Sequence, residues 1–209
     1  MSEIINVLTN PDSFFKERMT ERIQFKAPTL IVILNALMGA ISGYIMTKAI
    51  LSSAAVGGGF SGAGAIFGAV GGFLGVLIVW PIYTAVFYGL SALFGGEGSF
   101  KRSLEFVGYG YIPALLNSIF GLYVINQISD SLQATAANPA QMAQMLANDP
   151  MMQVATLVGI IFQLWSANIW IFGLKNARNL NLRGALISVG LPVGLLITYS
   201  LITYIGGIV

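Results

Sequence analysis

Between Lys48 and Glu97 the chain carries no charged side chain, and the run TLIVILNALMGAISGYIMT (29–47) just before it carries none either. A helix rises about 1.5 Å per residue, so ~20 residues cross the ~30 Å hydrocarbon core of a bilayer. The first run is long enough for one span. The second is too long for one and opens with SSAAVGGGFSG, a poor helix former, so it reads as a loop near 52–62 followed by a second span. Composition agrees, since 56% of the 209 residues are hydrophobic and only 9% charged, against about a quarter charged in soluble domains. So few charges cannot cover a globule, and the solvent must be lipid.

Polar segments divide the remainder. Spans are predicted at about 29–51, 63–94, 106–128, 152–174 and 184–208. A polar stretch, SDSLQATAANPAQMAQMLANDP (129–150), separates the third and fourth, with a short amphipathic helix between its Asn-Pro and Asp-Pro turns. The link KNARNLNLR (175–183) precedes the fifth. The predicted fold class is an all-α integral membrane protein: a bundle of five transmembrane helices (29–209) behind an N-terminal amphipathic interfacial segment (1–28). With five spans, Lys16, Arg18, Arg22, Lys26, Lys101, Arg102, Lys175, Arg178 and Arg183 share one side, and only Lys48 of the ten basic residues lies opposite. Basic loops stay in the cytoplasm, which predicts a cytoplasmic-membrane protein with its N-terminus inside and its C-terminus outside. A cleaved signal peptide does not fit, because its charged head would be 28 residues long with four acids.

The chain has no cysteine and no histidine. That excludes disulfides, thiolate chemistry, Cys/His metal ligation and any imidazole base. Asp130 and Asp149 fall in the polar loop, so no intramembrane aspartyl dyad is available. No catalytic residue, cofactor or metal is predicted, and the chain is read as non-enzymatic. A net charge of +2 gives no reason to expect nucleic acid.

Three stretches carry interaction chemistry. In NPDSFFKERMTERIQFKAP, Asn10 can cap a helix, Pro11 suits its first position and Asp12 favours its positive end. Phe15, Met19 and Ile23 follow at helical spacing beside Arg18, Arg22 and Lys26. The pattern predicts a helix lying in the headgroup region, those three cations toward anionic lipid headgroups; a plain anchor is the alternative. In the first two spans, Gly39, Gly43, Gly64, Gly68, Gly71, Gly72 and Gly75 allow close helix approach, within the bundle or in a homo-oligomer.

The third stretch is EFVGYGYIPALL (105–116). Glu105, Tyr109, Pro113 and Asn117 recur every four residues, and Pro113 cannot donate to the Tyr109 carbonyl. The reading is a bend that turns this face, with Gln163 from the fourth span, into a polar pocket with Glu105 at its hydrated mouth. A bend that serves packing alone is the competing reading.

Five spans, an opening LTNPDSFF, the loop GGEGSFKRSL and then GYGYIP resemble the Yip family of Ypt/Rab-interacting membrane proteins, in particular its compact prokaryotic branch. The resemblance implies a five-helix membrane domain and, from eukaryotic relatives, an association with Rab-type GTPases and membrane traffic. Those relatives carry a long cytosolic region with a Leu-Tyr-Gly-Pro motif, which is lacking in the 28 residues here, so GTPase binding is not expected. The function expected is a membrane-organising scaffold or adaptor, its protein partner unknown. The alternative is a channel or transporter for a small solute or ion along the polar face of the third span.

Overall fold

The computed structural model describes residues 2–52 and 61–206, so the loop expected near 52–62 lies almost wholly outside the described residues. The described residues form helices and no strand. In chain order the helices are α1 (Ser2–Thr9), α2 (Pro11–Arg18), α3 (Lys26–Leu51), α4 (Ser61–Ala92), α5 (Phe100–Tyr109), α6 (Tyr111–Thr135), α7 (Pro139–Asn148), α8 (Pro150–Ala177) and α9 (Leu182–Gly206). Five segments are long and apolar enough to cross a membrane: α3, α4, the α5–α6 pair, α8 and α9. The protein is therefore all-α, with the five spans the sequence predicts.

Helix starts follow local capping chemistry, in which a short polar side chain accepts from the otherwise unpaired first amides. Asn10 accepts from the Ser13 amide, Ser99 from Arg102, Asn138 from Ala140 and Gln141, Asp149 from Met151 and Met152, and Asn181 from Gly184. Pro11 and Pro150 open α2 and α8, where the missing amide costs nothing.

Two expectations are corrected. The N-terminal amphipathic helix does not run through Lys26. It stops at Arg18, and residues 22–25 have no regular structure. The third span does not start at 106. It starts at Phe100 and breaks at Gly110 into α5 and α6.

The chain divides into two compact units, to each of which every spanning segment contributes a stretch. Met1–Ile33, Leu77–Ala114 and Phe162–Ile197 form the first; Leu34–Val76, Leu115–Ile161 and Thr198–Val209 form the second. In the second, α3 and α4 meet backbone to backbone. A Cβ at Gly39 would lie 2.8 Å from the Gly72 carbonyl oxygen, and one at Gly43 would collide with the Gly68 carbonyl. Gly64 faces the Leu51 side chain, but Gly71 and Gly75 face open space. Only part of the glycine set thus packs α3 on α4. A smaller cluster joins Ala49, Ile128 and Leu132 to Met46, Met142, Met145, Leu146 and Met152, and it seats α7.

Candidate functional site: a buried ionic network at Glu105

In the first unit the ionisable groups converge on α5. Arg102 and Glu105 are three residues apart on one helical face, so their side chains meet. The Glu105 side chain has 0% exposure. Its Oε2 accepts from Arg102 Nη1 at 2.8 Å, and its Oε1 accepts from Arg18 Nε and from the Gln24 amide, both at 3.3 Å. Arg18 also pairs with Glu21 at 3.1 Å. Two guanidinium groups and two carboxylates balance, which is what permits charge at such depth.

Arg102 has a second task. Its guanidinium donates to the Arg18 carbonyl at 3.4 Å and to the Glu21 carbonyl at 2.6 Å. These lie at and just beyond the negative end of α2, where a cation is favoured. Arg102 thus braces the end of α2 from 81 or more residues away. Burial works against the Arg18 charge, yet Tyr109, Glu105 and Glu21 outweigh it and hold its pKa above the ordinary arginine value.

Aromatic packing and a second ion pair dock the same helix. Phe15 is fully buried with its ring centroid 4.6 Å from Phe106, and Phe14 stands edge-on to Tyr109 at 5.1 Å. At the start of α2, both Asp12 oxygens accept from Lys175 Nζ, at 2.8 and 2.9 Å, and Asn176 donates to one of them at 2.9 Å. The hydrogen bond from Lys175, then that from Asn176, holds the Asp12 carboxyl below its ordinary pKa.

The weakened turn in GYGYIP now has its cause. A Cβ at Gly110 would fall on the Trp170 indole, and one at Gly108 would lie 2.6 Å from Pro28 Cβ. Through these gaps Trp170 donates to the Val107 carbonyl at 2.8 Å, while Trp80 donates to the Leu104 carbonyl at 3.0 Å. The chain breaks at Gly110, so Pro113 lies in the first turn of α6, where a proline breaks no helical bond.

Four of the five predicted pocket residues belong to the first unit. Glu105 and Tyr109 come together around Arg18, whose guanidinium lies 5.9 Å from the Tyr109 ring centre, and Pro113 is buried in the same unit. Gln163 belongs to that unit and is half-buried; Asn117 belongs to the other, near Gly159. Glu105 is not at a hydrated mouth, because α2 and the residues after it cover the carboxylate. Of the three cations expected to face lipid, Arg18 turns inward, while Arg22 and Lys26 are exposed. Met19 and Ile23 are exposed, but Phe15 is core.

Sequence reasoning missed Arg178. It is buried, lies 3.9 Å over the Tyr88 ring, and donates to Ser91 Oγ at 2.9 Å and to the Gly96 and Gly98 carbonyls. It clamps the GGEGS turn, whose glycines hinted at a tight backbone without revealing its partner.

The Yip1 domain family model matches residues 5–204. The protein MJ0794 of Methanocaldococcus jannaschii is similar at 33% identity, over 62% of this chain and 94% of that relative. No solved structure matches.

Proposed function

Because the chain belongs to the Yip1 domain family of membrane proteins, we propose that it is a non-enzymatic membrane-organising scaffold or adaptor, with its N-terminal segment as a fixed part of the platform. The observation that carries this reading is the full burial of Glu105 beneath Arg18 and Arg102. A carboxylate serving transport would need access to water or solute, whereas this one is committed to holding α2 against α5. The exposed apolar face of α4, with Phe67, Val70, Leu74 and Ile78, supplies surface for neighbouring membrane helices or lipid.

The test is reconstitution. Proteoliposomes holding the full chain are expected to match protein-free vesicles in proton, potassium and small-solute permeability. Photo-crosslinkers at Gly71 or Gly75 in native membranes should yield discrete protein adducts. A solute flux lost in Asn117→Leu, or adducts with lipid alone, would overturn the scaffold reading.

A further inference from the structure

A different place in the fold carries a binding inference. In the second unit, the last turns of α3 and α6 line an open cavity of about 340 Å³. Tyr44, Lys48 and Ser52 line it from one side, and Ser129, Asp130 and Gln133 from the other. That volume lies at the lower end of the roughly 300–1,000 Å³ typical of small-ligand pockets.

Its charges are opposite and unjoined. Lys48 and Asp130 face the same cavity, yet no ion pair links them among the described residues. The Lys48 ammonium stands 5.8 Å from the Tyr44 ring centre, within reach of its face. Gln133 donates to the Ser52 carbonyl at 3.3 Å and ties the two helix ends together. The cavity thus presents a cation, an anion and hydroxyl groups, with no net charge.

A ligand that satisfies all of this is itself a net-neutral zwitterion. We propose that the cavity binds a zwitterionic headgroup of the phosphoethanolamine type: a primary ammonium donating to Asp130 and an anionic phosphate accepting from Lys48. A dianion would meet Asp130, and a simple cation would leave Lys48 unmatched. The source is a membrane lipid, because the site lies toward the ends of two helices long and apolar enough to cross a membrane, with apolar Ile45 and Ala49 on its α3 side. It is Lys48 that stands apart from the nine basic residues of the other loops, so the lipid belongs to the opposite leaflet. The proposal is independent of the scaffold reading.

Native mass spectrometry of the full-length protein in neutral detergent tests it, with phosphatidylethanolamine, phosphatidylcholine and phosphatidylglycerol as probes. Phosphatidylethanolamine should bind tightest, since a choline group has no N–H to donate to Asp130. Lys48→Gln and Asp130→Asn, both at exposed positions that leave the core intact, should each weaken it about tenfold. Lys101→Gln, an exposed cation elsewhere, should leave it unchanged. Equal binding of the three lipids, or equal losses in all three variants, would overturn the site. Binding of free phosphoethanolamine or glycine as tightly as the lipid would overturn the lipid source.

Discussion

Glu105 is the counter-ion of two buried guanidinium groups, so its removal exposes the cost that the network hides. Breaking a buried pair from one side typically costs about 3–5 kcal/mol, because the remaining charge has no partner. Glu105→Gln is expected to destabilise by about 3 kcal/mol or more in reversible denaturation, whereas exposed Glu97→Gln should stay within about 0.5 kcal/mol. Equal effects would mean that Glu105 holds nothing. The glycines divide in the same way. Gly110→Ala sets a methyl on the Trp170 indole and should cost about 1–3 kcal/mol, as overpacking does. Gly71→Ala meets only open space and should be neutral or slightly stabilising. Thermal unfolding of the two alanine variants distinguishes them. Both positions read alike in the sequence, as small residues in apolar helices. Their difference depends on which way each faces, and for Gly110 on an indole sixty residues away.

Among the elements, the docking of α2 should depend on pH through Asp12. The Asp12 carboxyl has a folded pKa below its ordinary 3.8, so its contribution to docking is complete above that value. It is lost as pH falls below 3.8 through the lower folded pKa. Amide protection of residues 12–18, corrected for intrinsic exchange, should therefore decline below pH 3.8 more than that of α8. Asp12→Asn should show weaker protection at neutral pH and lose that part of the decline. A variant with an unchanged profile would remove Lys175–Asp12 from the docking of α2. The start of this helix was legible, because Asn10, Pro11 and Asp12 act within one turn. Its end was not, because Arg102 reaches the carbonyls of Arg18 and Glu21 from 81 or more residues away, and a local pattern contains no such partner. The short helix between the Asn-Pro and Asp-Pro turns was legible for the first reason, since both of its caps are local.

For the whole molecule, the distribution of charge makes the sharpest prediction. Single cysteines can be placed at Glu97, Leu182 and Ala137, exposed positions that cap no helix, in a chain without native cysteine. Those at Glu97 and Leu182 should react with an impermeant thiol reagent only from the cytoplasm, and that at Ala137 only from outside. Reaction of Ala137 and Glu97 from the same side would refute a five-span crossing. The number of spans, their order and their charge bias follow from the sequence alone, because each depends on how a local stretch of side chains partitions between water and lipid. Tertiary structure alone decided that Glu105 faces two arginines rather than a hydrated mouth. It also decided that Gly39 meets Gly72 while Gly71 meets nothing, and that Lys48 shares a cavity with Asp130. In an apolar chain many side chains are equally suited to lipid and to protein, so composition cannot say which face turns inward. Only the docking of distant helices, settled by a few polar groups that must find partners once out of water, makes that choice.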